Sequence, residues 1–129
     1  MLALDYGAAR TGVAVSDPTG TLARPLEVIP RAADEAGLDR VAALVAEHGA
    51  ELVVVGLPLT LRGEHGDQAR ETEVFAALLR ERLEVPVETY DERFTTALAQ
   101  RSSHDGMDED AHAAAHLLAG YLDRLGRDR

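Results

Sequence analysis

The chain has 129 residues, which is enough for one domain around a single buried core. It has no cysteine, which excludes disulfides and thiolate metal sites, and only 4% aromatic residues, which argues against a base-stacking platform for single strands. The net charge of −10, with every cation an arginine, argues against nonspecific coating of nucleic acid. No segment reads as a secretion signal or membrane span, so we expect a cytoplasmic protein.

The apolar pattern predicts strands and helices of one domain covering residues 1–129. Strands are predicted at 1–6, 12–17, 21–29, 52–59 and 86–90. Helices are predicted at 34–48, 68–83, from 91 to about 101, and 108–125. Three successive strands followed by alternating helices and strands are typical of a mixed sheet with helices on its faces.

Local signals add detail to these elements. Pro25 places the third strand at an edge of the sheet, because proline cannot donate to a ladder on both sides. Gly49 is expected to end the first helix, and Asp67 to cap the second. The buried side of the second helix is predicted to carry Val74, Phe75, Leu78, Leu79 and Leu83.

An acid closes the first predicted strand. Aspartate is depleted in strands and costly to bury unpaired, so Asp5 is either a turn acid or a ligand for a divalent metal. We expect Gly7 and Gly12 in the following turn, where glycine lets the backbone approach a phosphate closely. Arg10 lies between them and could bind that phosphate.

A second acidic site follows the last predicted strand, in the segment DERFTT. Asp91 and Glu92 are adjacent, so in extended chain their side chains point to opposite faces and only one faces a metal. We favour Glu92 as the ligand and keep Asp91 as the alternative catalytic acid. Arg93 could bind the scissile phosphate or neutralise the acids.

The third acid is Asp110, in the last predicted helix. At about 100° per residue it shares one helical face with Ala114, Leu117, Tyr121 and Leu125. An inward acid in the first turn of a helix is either a cap or a metal ligand. The spacing of His112 and His116 is that of a metal pair, but both are predicted on the solvent face.

A further candidate site follows the buried run LVVVG. Ligands bind beyond the carboxyl ends of parallel strands, which is where Gly56, Thr60 and Arg62 are expected. The alternative is that Gly56 and the following residues only turn the chain.

Together, LDYGAARTGVAVSD, VVVGLPLTLRGEHGDQA, DERFTT and DAHAAAHLLAGYL resemble the YqgF/RuvX family over nearly the whole chain. These bacterial proteins are described as pre-16S rRNA nucleases and Holliday-junction-resolvase-like proteins. The resemblance implies an α/β, ribonuclease-H-like fold, with a mixed five-stranded sheet of three antiparallel and two parallel strands flanked by helices. By motif, Asp5, the acids of DERFTT and Asp110 correspond to the acidic sites of the family.

The resemblance also implies an activity. We expect an endonuclease that uses Mg²⁺ or Mn²⁺, held by Asp5, Glu92 and Asp110, to cut structured RNA at the 5′ end of pre-16S rRNA, as a monomer or homodimer. DNA junctions are the alternative substrate. The chain departs from the family in the short segment SSHDGMDE, where relatives often carry a longer one rich in lysine and arginine.

Two other functions remain open at this point. The segment DYGAARTG also resembles the phosphate loop of actin-like sugar kinases and ATPases, which bind ATP between two domains of this fold. A non-catalytic module that binds RNA or ribosome-assembly factors would also fit the acidic composition.

Overall fold

The computed structural model describes residues 1–17, 22–57, 66–91 and 106–127, and the side chains of 111–125 within the last range. Its strands are β1 (Leu2–Asp5), β2 (Arg10–Ser16), β3 (Ala23–Pro30), β4 (Val53–Leu57) and β5 (Val87–Asp91). Its helices are α1 (Glu35–His48), α2 (Asp67–Arg82) and α3 (Gly106–Arg127). The helix predicted to begin at DERFTT lies outside the described residues.

The strands form one mixed sheet in the order β3-β2-β1-β4-β5. The first three pair antiparallel, while β4 pairs parallel with both β1 and β5. The predicted mixed five-stranded sheet is therefore confirmed, and so is the edge position of β3, which contains Pro25. Strands β1, β4 and β5 finish together, at what we call the carboxyl end of the sheet.

The two faces of the sheet differ in the size of their side chains. On one face, Leu2 and Leu4 of β1 form a large apolar cluster with residues of α1 and α2. On the other, which we call the α3 face, Ala3 and Ala14 cluster with alanines and leucines of α3. Small side chains on both partners let a helix approach a sheet closely, so α3 lies near the strand backbones.

Strand β2 begins two residues earlier than predicted. Arg10 pairs with Pro30 of β3, and Gly12 pairs with Asp5 of β1. The prediction that Gly12 and Arg10 lie in the turn is therefore wrong, because pairing on both sides extends the strand. The turn itself comprises residues 6–9.

Helix α2 corrects two predictions. Gly66 occupies the N-cap position without a side-chain hydrogen bond, and Asp67 is the first helical residue rather than the cap. Val74 is 61% exposed, although it was expected on the buried side. The reason is that α2 is rotated about its own axis so that Phe75 faces the core. The Phe75 ring stacks there on Tyr6, with centroids 4.6 Å apart. The buried residues of the helix are Ala69, Thr72, Phe75, Ala76 and Leu79.

Helix α1 follows the sequence closely. It ends at Gly49, which has the left-handed backbone (φ 59°) that glycine tolerates best, as predicted. Among the described residues, no helix combines the length and hydropathy required to cross a membrane.

Candidate active site

Asp5 is the last residue of β1 and lies at the carboxyl end of the sheet. Side chains alternate along a strand, so Asp5 lies on the α3 face with Ala3, while Leu4 and Tyr6 pack into the opposite cluster. Asp5 is half-buried. The carboxylate predicted to end the first strand is therefore where a ligand at this end of the sheet could reach it.

Glycines flank Asp5 on both neighbouring strands. Gly12 of β2 pairs directly with Asp5. On the other side, Val55 of β4 pairs with Leu4, so Gly56 is the next residue along, beside Asp5. Gly56 lies inside β4, within the strand predicted at 52–59, so the interpretation of Gly56 as part of the loop beyond the strand is wrong. Neither neighbour has a side chain that could cover the carboxylate.

The turn after Asp5 is held by a buried threonine. The Oγ1 atom of Thr11 lies 3.4 Å from both the amide nitrogen and the carbonyl oxygen of Gly7. A Cβ atom at Gly7 would lie only 2.5 Å from the carbonyl oxygen of Arg10. Gly7 is therefore required by its close contact with the first residue of β2, and no pattern in the sequence indicated the role of Thr11.

Arg10 lies on the same face as Asp5, because it is two residues from Gly12 in β2. It is exposed at the carboxyl end of the sheet. A guanidinium there could bind a phosphate beside the carboxylate.

Asp91 is the last residue of β5 and pairs with Leu57, the last residue of β4. Tyr90 belongs to the cluster on the α3 face, so alternation places Asp91 on the opposite face from Asp5. β5 lies two strand spacings, about 10 Å, from β1. Glu92, Arg93, Thr60 and Arg62 lie outside the described residues.

Helix α3 begins at Gly106, two residues earlier than predicted. Asp110 is therefore its fifth residue, beyond the first turn, and the interpretation of Asp110 as a helix cap is wrong. Position 110 lies one turn before Ala114, which is fully buried against the sheet. The side chain of Asp110 lies outside the described set.

The two histidines of α3 differ from expectation, since His112 and His116 are half-buried rather than solvent-facing. Of the helical face that includes position 110, Ala114 and Leu117 are buried as predicted.

Among the described residues, no three His, Cys, Asp or Glu side chains form a group able to hold a metal. Convergence of Asp5 with Glu92 and Asp110 thus stays a prediction.

Sequence reasoning missed a group of tyrosines that joins α3 to β5. The Tyr121 hydroxyl donates to Oε2 of Glu88 at 2.6 Å, and the Tyr90 hydroxyl donates to the carbonyl of Gly120 at 3.4 Å. The two rings meet edge to face, with centroids 5.4 Å apart. Burial and the neighbouring Glu88 carboxylate raise the pKa of Tyr121 to about 12.

Tyr6, which follows Asp5, was also missed. Its ring stacks on Phe75 and joins α2 to the end of β1. Burial raises the pKa of Tyr6, and the negative charges of Glu71 and Asp34 add to this effect. The hydroxyl therefore keeps its proton at neutral pH.

Of the described residues of the site, Asp5 has the chemistry of a ligand for a hard divalent cation. Mg²⁺ and Mn²⁺ prefer oxygen ligands, and Asp5 supplies them between two glycines, which have no side chains to contact it. The charged side chains Asp5 and Arg10 both lie on the α3 face at this end of the sheet, where they offer a carboxylate and a cation suited to phosphate.

Fold and site define a ribonuclease-H-like protein with an aspartate, Asp5, at the carboxyl end of its central strand. The chain belongs to the RuvX family, described as "Holliday junction resolvase", which it matches over residues 1–124. A relative from Chloroflexus aggregans is 43% identical over 95% of this chain and 92% of that protein. One from Corynebacterium jeikeium is 40% identical over 98% of this chain and 87% of that protein, and both are named "Putative pre-16S rRNA nuclease".

Solved structures support the fold at lower sequence identity. RuvC of Thermus thermophilus is 20% identical, with a TM-score of 0.59 over 98% of this chain and 97% of that one. The same protein in complex with a Holliday junction substrate has a TM-score of 0.61 at 19% identity, covering 98% of this chain and 96% of that one. These matches show that the ribonuclease-H-like fold predicted from the sequence is correct.

Proposed function

We propose that this protein is a cytoplasmic, divalent-metal-dependent endonuclease that cuts structured RNA, with pre-16S rRNA as its substrate. The observation that carries the proposal is Asp5. It ends β1 on the α3 face between two glycines, in a chain whose family and relatives are named for nucleases. A carboxylate at that position is poor for strand stability and well suited to holding a cation.

Asp5, Glu92 and Asp110 are proposed to hold Mg²⁺ or Mn²⁺. When bound, such an ion polarises a phosphodiester oxygen and activates a water molecule for hydrolysis. Asp91 lies on the face opposite Asp5, which favours Glu92 as the ligand from this segment. Glutamate is also the longer of the two side chains, which suits a distance of about 10 Å between the strands.

The substrate backbone is proposed to lie along the carboxyl end of the sheet. Arg10 is exposed there on the α3 face, where it can contact a phosphate next to the one being cut. The turn at Gly7 brings backbone close to the same place. Thr60, Arg62 and Arg93 remain candidate substrate contacts from the sequence.

Two alternatives are kept as outcomes of the test. Solved neighbours include a resolvase bound to a Holliday junction, so a four-way DNA junction is the alternative substrate. A net charge of −10 also fits a module that binds RNA without cutting it. Action as a monomer or homodimer stays a prediction.

The test is cleavage of a 16S rRNA precursor and of a four-way DNA junction, each with Mg²⁺, with Mn²⁺ or with chelator. We expect cleavage of the RNA that requires the metal. Asp5→Asn should slow it by about a hundredfold or more, because the metal supplies several kcal/mol of stabilisation in the transition state.

Asp17→Asn is the matched control. Asp17 lies just beyond β2, at the opposite end of the sheet, where its Oδ1 accepts a hydrogen bond from Leu22 N at 2.9 Å. Asparagine keeps an acceptor, and the change in charge equals that of Asp5→Asn. Full metal-dependent activity in Asp5→Asn would refute the assignment. Cleavage of the junction alone would favour the DNA alternative, and binding without cleavage the non-catalytic module.

A further inference from the structure

The turn between β3 and α1 contains a strained residue. Arg31 has φ 45°, and in the described part of the chain it is the only non-glycine residue with a positive φ. This left-handed conformation brings Cβ too close to the following carbonyl in L-residues, so it costs free energy. Such residues persist where the surroundings hold them, and they concentrate at functional sites.

Three contacts hold Arg31 in this conformation. Its amide donates to the carbonyl of Ala9 at 3.1 Å, and its carbonyl accepts from the amide of Asp34 at 3.0 Å. Helix α1 packs tightly against Ala32, the residue after Arg31, because a Cβ at Gly37 would lie only 2.4 Å from the Cα of Ala32. The contact with Ala9 joins this turn to the one that follows Asp5.

Arg31 therefore lies at the carboxyl end of the sheet with Asp5 and Arg10. Arg10 pairs with Pro30, the residue before Arg31. The Arg31 side chain is 78% exposed, and its Nε is 3.7 Å from Oδ2 of Asp34, too far for a hydrogen bond. By contrast, Arg40 donates two short hydrogen bonds to Glu27 at 2.8 and 2.6 Å.

We propose that Arg31 is a second contact for the nucleic acid backbone, held beside the cleavage site by the paired turns at 6–9 and 31–34. The guanidinium fork fits two phosphate oxygens. In a chain with a net charge of −10, binding a polyanion depends on a few placed cations. The inference rests on the proposed substrate class, nucleic acid, but not on cleavage.

Asp34 provides a second test of the proposal, in which the expected change in affinity has the opposite direction. It is the N-cap of α1 but makes no side-chain hydrogen bond there, and it is the anion nearest to Arg31. A phosphate at Arg31 would have to lie close to this carboxylate. Removing the charge with Asp34→Asn should therefore tighten binding, while asparagine remains a good N-cap.

The experiment measures the Kd of the 16S rRNA precursor by fluorescence anisotropy, at salt from roughly 50 to 200 mM. Every protein in the series carries Asp5→Asn, which is expected to slow cleavage during the measurement. Arg31→Ala should raise Kd about tenfold and reduce the slope of log Kd against log salt by about one, as expected when one phosphate contact is lost. Arg31→Lys should recover part of the affinity, since it keeps the charge without the fork.

Two controls separate this role from general effects. Arg24→Ala removes an exposed arginine from the other end of β3, where Arg24 pairs with Val15, and should leave Kd unchanged. Glu84→Gln removes one negative charge before β5, far from the carboxyl end, and should not reproduce the effect of Asp34→Asn. Arg31→Gly relieves the strain as well as removing the charge, and should bind as weakly as Arg31→Ala.

Equal affinities for Arg31→Ala and Arg24→Ala would overturn the inference, as would an unchanged salt slope. The outcome is independent of the nuclease test. If the unaltered protein cuts RNA but Arg31→Ala binds normally, only this inference fails. If RNA is bound through Arg31 but never cut, the inference holds and the proposed activity fails.

Discussion

At the scale of single residues, Gly7 links the fold to the site. A Cβ at this position would lie 2.5 Å from the carbonyl oxygen of Arg10, and backbone atoms cannot move aside as a flexible side chain can. Gly7→Ala should therefore open the turn that follows Asp5. We expect a loss of about 1–3 kcal/mol in the free energy of unfolding, the range for overpacked sites. Urea denaturation measures it.

Gly66→Ala is the matched control for Gly7. Gly66 has no heavy atom within 4 Å of its would-be Cβ, and its φ of −87° suits any residue. Its substitution should change the free energy of unfolding by no more than about 0.5 kcal/mol. Equal midpoints for the two variants would show that the turn at Gly7 is not tight.

Residue chemistry could be predicted from the sequence only in part. Asp5 was predicted as a candidate metal ligand because an acid at the end of an apolar strand is unusual. The contact that requires Gly7, the close approach to the Arg10 carbonyl, was not predicted. The approach of Gly7 to a phosphate stays a prediction. Arg31 gave no signal at all, because its backbone conformation is imposed by Ala9 and Gly37, which are distant in sequence or lie on another element.

At the scale of elements, the tyrosine group joins α3, which packs mainly on β2 and β3, to β5. Tyr121→Phe would remove the hydroxyl that donates to Glu88 at 2.6 Å while keeping the ring contact with Tyr90. We expect a loss of about 1 kcal/mol in the free energy of unfolding at neutral pH, the typical net contribution of such a bond. Glu88→Gln keeps an acceptor for the hydroxyl and should cost less.

This contribution should depend on pH in a defined direction. The pKa of Tyr121 is raised in the folded protein from its ordinary value of 10 to about 12. The folded state thus holds the phenolic proton more tightly than the unfolded chain does. The stabilisation is complete below pH 10 and is lost as pH rises towards 12. Denaturation of the parent and Tyr121→Phe across this range should show their difference shrinking, whereas a constant difference would contradict it.

Element types were predictable and element ends less so. The apolar run of β4 and the helical spacing of α1 depend on local pattern, and both elements were found where expected. The start of α2 was predicted one residue too late, because Asp67 is as acceptable an N-cap as Gly66. The orientation of Val74 depends on how Phe75 meets Tyr6, a contact between residues about seventy positions apart.

At the scale of the whole molecule, the position of the site depends on the difference between the two faces of the sheet. Alternation predicts that Asp5 and Leu4 lie on opposite faces, but not which face α3 covers. The structure places Asp5 on the α3 face, where small residues admit a close helix. The proposed gathering of acids from β1, the segment after β5 and α3 would depend on this topology, and from the sequence it could only be predicted as a hypothesis.

Acids gathered in this way should link metal binding to folding. Neighbouring carboxylates repel one another, and a cation that binds only the folded state relieves that repulsion. Mg²⁺ or Mn²⁺ at about a hundred times its Kd should raise the free energy of unfolding by about 2.7 kcal/mol. Urea denaturation across a metal titration, at constant ionic strength, measures the shift without any substrate.

The variants then show which acids hold the ion. Asp5→Asn and Glu92→Gln should abolish most of the metal-dependent shift, because each removes a proposed ligand. Asp91→Asn should keep it, since β5 places Asp91 on the opposite face from Asp5. Asp17→Asn, which changes the same charge at the other end of the sheet, should also keep it. If Asp91→Asn loses the shift and Glu92→Gln retains it, the assignment of the two acids is reversed; an equal shift in all four variants would place the ion elsewhere.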